Sequence, residues 1–260
     1  MLSKHLIPFH ISNENLMRIG PKKDGGYIID KRIIPLTKKI ITCGLNDDWE
    51  FERSFLKIQP NCKITAYDHT VNKKFWAKRF GKDIIHFFLF KKLSFGKIIS
   101  IFKYVEYLIF FKNKNKHYKL KIGKQCVTHK EISLPKILKD QENLLLKIDI
   151  EGDEYEILED IIKNSKKINC LLIEFHFISK NILLIEKFIK DNEYLKLIHI
   201  HGNNYAGNND NGDPLILELT FLNIEKIKFE LYKTKKNFPV SGLDYKNHQK
   251  KDDFFLKFNR

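Results

Sequence analysis

The segment LLLKIDIEGDEYEIL, Leu144–Leu158, crowds Asp149, Glu151, Asp153 and Glu154 around Gly152. Carboxylates this close repel one another, so a metal cation, a cationic ligand or raised pKa values must relieve the charge. Asp153 and Glu154 suit the positive end of a helix dipole and can be read as the start of a helix. Asp149 and Glu151 have no such explanation and are the leading catalytic candidates. His176 follows Glu174, and His201 precedes Asn203 and Asn204; each histidine lies close to the end of an apolar run and is a candidate general base. Asp149, Glu174 and His201 form an alternative set, hard oxygen and imidazole ligands that suit Mg²⁺ or Mn²⁺.

Two further passages could hold a nucleotide-like ligand. In CGLNDDWEFERSF, Cys43–Phe55, Gly44 lets the chain turn sharply after a strand, and the helix start beyond it attracts anionic groups. Gly44 stands alone, so this is no dinucleotide fingerprint. Asp47 or Asp48 reads most simply as the cap of a helix from Trp49. Downstream, KITAYDHT puts Asp68 at a strand end, where a carboxylate can accept from ribose hydroxyls.

These groups need a scaffold, and the chain supplies a repeating one. Short apolar runs begin at Lys39, Lys63, Ile84, Leu144, Cys170, Leu195 and Leu215 and have the length and β-branching of buried strands. Helical spacing separates several of them, over Trp49–Lys57, Tyr155–Ile162 and Asn181–Ile189. Strand and helix in alternation predict an α/β fold with a mostly parallel sheet covered on both faces. Ligands of such sheets bind beyond the carboxyl ends of the strands, where Gly44, Asp68, Asp149, Glu174 and His201 fall.

At 260 residues the chain fits one domain over 1–260, with a lead-in over 1–38. An insertion over about 91–124 interrupts the alternation. Seven phenylalanines (87, 88, 90, 95, 102, 110 and 111) precede the basic stretch KNKNKHYKLKIGK. Such a segment can cover a substrate pocket or rest on an anionic membrane. The formal charge of +15 is almost all lysine, with only five arginines among 47 basic residues. Arginine is the side chain that reads guanine edges bidentately, so nucleic acid is not the expected partner. Four cysteines without a CxxC pair, and no signal-like or membrane-spanning apolar run, fit a cytoplasmic protein with a possible peripheral contact at the inner face of the membrane.

The segment around Asp149 resembles the signature LKIDxEGxExxxL of the FkbM-like methyltransferases. RIGPKKDGGYII (Arg18–Ile29) is similar to the opening of one branch of that group. LLIEFH, HIHGNNY, LILELTFL and FPVSGLDYKN (Phe238–Asn247) resemble later segments in the same order. The resemblance implies a Rossmann-like methyltransferase fold with a seven-stranded sheet and S-adenosyl-L-methionine as cofactor. It places that cofactor against Asp24, Gly25, Gly26, Tyr27, Gly44, Leu45, Asn46, Asp48, Glu52, Asp68 and Asp149. It further implies methyl transfer to an oxygen of a small-molecule or glycan acceptor, phosphorylated or nucleotide-linked acceptors included, with Glu174, Asn203 and Asn204 on the acceptor side. A metal-dependent enzyme of another class, built on the Asp/Glu/His cluster, and a basic module for membrane or nucleic acid are the alternatives.

Overall fold

A computed structural model describes residues 1–90, 99–124 and 126–259. In chain order its strands and helices are β1 (Leu16–Ile19), β2 (Tyr27–Asp30), β3 (Lys39–Cys43), α1 (Glu50–Ile58), β4 (Lys63–Tyr67), α2 (Lys73–Phe90) and α3 (Ile99–Phe110). There follow β5 (Lys116–Tyr118), β6 (Lys121–Ile122), β7 (Glu131–Ile132), α4 (Leu134–Leu138), β8 (Leu144–Ile148), α5 (Leu158–Asn164), β9 (Ile168–Phe175), α6 (Ile178–Asp191), β10 (Leu195–Gly202) and β11 (Leu217–Asn223). Seven strands form the main sheet in the order β10-β11-β9-β8-β3-β4-β5. β11 runs antiparallel to both neighbours, and the other pairs are parallel. This is the expected Rossmann-like sheet, with the order of its first five strands reversing at β3 and β8 and an antiparallel strand placed between the last two parallel ones.

The buried strands separate two cores by simple alternation. On β8, Leu144, Leu146 and Ile148 face one side with α4, α5 and α6, packing on Ile137, Ile161 and Phe188. Leu145 faces the other side, toward Phe51 and Phe55 of α1 and Ile28 and Ile29 of β2. Lys147 shares that second face: it is buried, and its ammonium lies over the rings of Tyr27 and Phe51. The lead-in folds as the β1–β2 hairpin, and the Thr220 hydroxyl of β11 donates to the Ile28 carbonyl at 2.7 Å.

The run from Ile84 to Phe90, expected as a strand, is the end of helix α2. A short apolar run satisfies either geometry, and α2 continues through Gly81 and Asp83 into it. The strand beside β4 is instead β5, from the basic stretch, pairing Thr65–Tyr67 with Lys116–Tyr118. An edge strand needs little apolar character, and lysines there oppose further pairing. The first part of the insertion, residues 91–98 with Phe95, lies outside the described residues. α3 packs Tyr104, Tyr107, Phe110 and Phe111 against Trp49 and Trp76. No helix among the described residues is long and apolar enough to cross a membrane.

Candidate active site

The carboxyl ends of β3, β4 and β8 are drawn tightly together. Gly44 N–H donates to the Tyr67 carbonyl, and Asp149 N–H donates to the Cys43 carbonyl, each at 2.9 Å. Gly44 has φ +84°, and a Cβ there would come within 1.6 Å of the Asp149 carbonyl oxygen, so only glycine fits. Beyond these ends opens a cavity of about 340 Å³, within the range of small-molecule sites. Asp24, Gly25, Tyr27, Gly44, Leu45, Asn46, Asp48, Asp68, Asp149, Glu151 and Glu174 line it. Sequence reasoning missed Thr70, Lys121 and Lys147, which line it too, and Asp153, read as a helix start, lines it as well. Lys147 was legible as a lone charge inside LLLKIDI; Lys121 arrives from β6, whose two residues carry no pattern.

Seven carboxylates (Asp24, Asp48, Asp68, Asp149, Glu151, Asp153 and Glu174) face two lysines around this cavity, although the whole chain carries +15. Burial pushes the Asp149 carboxyl up to about 6, against the pull of Lys147 and His176. Burial also lifts Glu174 well above the carboxylate range, with Asp149, Glu218 and Asp24 adding repulsion. Lys147 keeps its charge: burial disfavours it, but Glu52, Asp149, Asp48 and Glu174 outweigh that and raise its pKa. A site of this polarity favours a positively charged ligand.

Asp68 sits at the rim with every acceptor position occupied. One oxygen accepts from the backbone N–H groups of Leu45 at 2.8 Å and Asn46 at 2.9 Å. The other accepts from Thr70 N–H at 2.7 Å and its hydroxyl at 2.6 Å. Burial alone would raise this carboxyl, but these donors prevail and hold it below its ordinary value. Asp68 therefore clasps the loop after β3 to the turn after β4, and a ribose hydroxyl must share an oxygen with those donors. Asp48 caps α1 by accepting from Glu50 N–H at 2.8 Å. Asp47 instead pairs with Arg79 of α2 and Lys103 of α3, at 2.6 and 3.1 Å.

Behind Asp149, Glu151 and Glu174, His176 follows the end of β9; it is buried and does not itself line the cavity. Its Nδ1 lies 3.0 Å from Glu154 Oε1, the same oxygen that accepts from Ile150 and Gly152 N–H at 3.1 Å. Its Nε2 points toward Glu151 Oε2 at 3.5 Å, Glu174 Oε1 at 3.8 Å and Asp149 Oδ1 at 4.0 Å. Burial would lower the pKa of this imidazole; Glu154, Asp149 and Glu151 more than reverse that, so it is raised. Glu154, read from sequence as a helix-start residue, thus orients a site histidine. Asp153 pairs with Lys121 at 2.8 Å.

Several candidates lie elsewhere. His201 is buried between Glu218 and Asp253, each 3.1 Å from one of its ring nitrogens, and is no free base. It is not beside Asp149, so the expected Asp149, Glu174 and His201 cation set does not assemble. Glu52 is buried below the cavity, accepting from the Thr42 hydroxyl at 2.6 Å with Lys147 Nζ at 3.6 Å. Gly26 does not line the cavity; a Cβ there would meet the Pro21 carbonyl at 2.2 Å. Asn204 donates its amide to the carbonyls of His248, Lys251 and Asp252, holding the C-terminal segment. Asn203 reaches the cluster indirectly, donating to Glu174 Oε1 at 3.0 Å.

Residues 93–196 match the family model described as Methyltransferase FkbM domain. Over that span the chain is similar to FkbM methyltransferases. The matched span runs from before α3 through the Asp149 and His176 loops to β10. The acidic cavity suits a cationic ligand, such as the sulfonium and ammonium of S-adenosyl-L-methionine. Solved structures similar to the chain include the Methanococcus jannaschii fibrillarin pre-rRNA processing protein, 8% identical over 73% of this chain and 68% of that one, TM-score 0.39. Precorrin-6y C5,15-methyltransferase from Geobacter metallireducens GS-15 is 10% identical over 82% and 98%, TM-score 0.36. M. jannaschii TYW2 in complex with AdoMet is 10% identical over 83% and 90%, TM-score 0.38. At such scores the fold rests on the strand order given above. No curated protein matches the chain.

Proposed function

We propose that the chain is an FkbM-like methyltransferase that acts on oxygen, methylating a hydroxyl of a small sugar-like acceptor, phosphorylated or nucleotide-linked acceptors included, in glycan or secondary-metabolite modification. The observation that carries the reading is the group of carboxyl side chains at the cavity wall. Asp149, Glu151 and Glu174 converge there around His176, and their oxygens can receive a hydroxyl donor. Asp24, Gly25, Gly44, Leu45, Asn46, Asp48 and Asp68 form the inner wall and are assigned to the cofactor. Glu174, steadied by the Asn203 amide, positions the acceptor. The bound sulfonium supplies the electrophilic methyl. The protein's share is to hold the acceptor oxygen in line with it and to receive the hydroxyl proton at the Asp149, Glu151 and His176 group.

A cytoplasmic setting with a peripheral membrane contact belongs to the same proposal. It is supported by the apolar residues Phe102, Val105, Leu108 and Ile109, exposed along α3, followed by the exposed Lys112, Lys114 and Lys116.

Incubating the protein with methyl-labelled cofactor and a panel of free, phosphorylated and nucleotide-linked sugars tests the reading. The expected product is a base-stable methyl ether with its own O–CH₃ resonance. Label transferred to amines alone, or failure of the protein to bind either the cofactor or its demethylated form in calorimetry, sinks it.

A further inference from the structure

We infer that Asp149, Glu151 and His176 form a binding site for one hard divalent cation of the Mn²⁺ or Mg²⁺ type, with Glu154 as the residue that orients its histidine ligand. One donor atom from each of the three lies within 4.8 Å of the other two. A cation about 2.1 Å from each donor sets neighbouring donors about 3.0–3.4 Å apart. His176 Nε2 is 3.5 Å from Glu151 Oε2 and 4.0 Å from Asp149 Oδ1, so these two pairs close with shifts of about an ångström or less.

Crowded carboxylates alone do not make a site; the histidine gives the independent sign. The His176 side chain is only 7% exposed, and its Nε2 is aimed into the cluster, with Glu151, Glu174 and Asp149 oxygens at 3.5, 3.8 and 4.0 Å. These oxygens stand beyond hydrogen-bond contact with the nitrogen, at the spacing that an ion between them would close. The opposite nitrogen is fixed by Glu154, whose side chain is fully buried and which is itself held by the Ile150 and Gly152 N–H groups. A carboxylate on Nδ1 presents Nε2 as the unprotonated, outward lone pair, the arrangement that metal-bound histidines use. Glu151 supplies the exposed ligand, its side chain 83% accessible, which leaves the entry path open. Two carboxylates and one imidazole match a hard ion that keeps some of its water.

If the oxygen-acceptor reading holds, on which this role alone rests, the ion would bind the acceptor hydroxyl and lower its pKa. The proton then passes to water at the exposed Glu151 side, while Asp149, Glu151 and His176 hold the ion instead of taking the proton. The site itself does not depend on that role. The test is Mn²⁺ binding to the metal-stripped full chain, followed by electron paramagnetic resonance and calorimetry, with the demethylated cofactor titrated separately in chelator. One bound Mn²⁺, displaced by Mg²⁺, is expected. Glu151→Gln, at an exposed side chain that leaves folding intact, should weaken binding at least tenfold. Glu154→Gln should weaken it tenfold to a hundredfold without touching the ion. His176→Gln should act like Glu151→Gln, with circular dichroism confirming the fold. Absence of Mn²⁺ binding in protein that binds the cofactor overturns the site, as does undiminished binding by Glu151→Gln. Mn²⁺ binding without cofactor binding sustains the site and overturns the methyltransferase reading instead.

Discussion

Replacing Asp68 by alanine separates what its carboxylate does for the fold from what it does for the cofactor. The substitution strips partners from Leu45 N–H, Asn46 N–H, Thr70 N–H and the Thr70 hydroxyl. Leu45 is buried, so its donor goes unsatisfied at a cost of about 1–3 kcal/mol. The other three donors are half-buried and recover water, each losing about 0.5–1 kcal/mol. The total, about 2.5–6 kcal/mol, is a large part of the ~5–15 kcal/mol that holds a domain together. Urea unfolding should therefore show a midpoint well below wild type, with Asp68→Asn intermediate because its carbonyl keeps one pair of bonds. Cofactor affinity should drop at least tenfold, since the loop Gly44–Asn46 loses its anchor as well as a ribose acceptor. The folded pKa of this group is lowered from an unfolded value of about 3.9. Its contribution is thus complete above about pH 4 and is lost as pH falls through the lower folded value. An alanine variant within about 0.5 kcal/mol of wild type refutes the clasp; one that is destabilised but binds cofactor normally refutes the ribose role.

Two other perturbations probe the buried charges. Lys147→Met leaves the buried Glu52 carboxylate without its cation and should cost about 3–5 kcal/mol; adding Glu52→Gln should restore at least about 1 kcal/mol, and strict additivity in denaturant melts would show that the pair is not coupled. His201 is raised to about 10, its burial outweighed by Asp253 and Glu218. Its bonds are complete below the unfolded value of about 6.5 and are lost as pH rises toward 10, so wild-type stability should fall over that window by up to about 1.4 kcal/mol per pH unit. His201→Gln should flatten the profile, and equal pH slopes for the two proteins would count against a charged His201.

The strands carrying the site were legible because burial on both faces writes an unbroken apolar run, as in Leu144–Ile148 and Cys170–Phe175. Their polar ends were legible for the same reason, since a side chain that breaks such a run stands at the sheet's edge. What stayed hidden was set by contacts distant in sequence. β5 reads as a solvated lysine stretch, because an edge strand pairs through its backbone and its side chains stay free. His176 and His201 look alike in sequence. Only the fold shows that Glu154 leaves one of them a free nitrogen while Glu218 and Asp253 occupy both nitrogens of the other. Glu52 shows the same limit: the resemblance put it against the cofactor, but α1 turns it into the core toward Thr42 and Lys147.

The sign of the charge is also local. At physiological ionic strength fields between exposed groups fade over about 8 Å, so the dispersed surface lysines add little to the potential inside the cavity. Seven carboxylates and two lysines set that potential; burial raises Asp149 and Glu174, and for Glu174 the neighbouring carboxylates add to the rise. A cationic cofactor is therefore favoured inside a chain whose exterior repels it, whereas an anionic acceptor is drawn to the exterior and resisted at the mouth. The two ligands make opposite demands on the same opening. A divalent ion between Asp149, Glu151 and His176 reconciles them: it cancels the excess carboxylate charge at the mouth, where the acceptor enters, and leaves Asp24, Asp48 and Asp68 facing the sulfonium end.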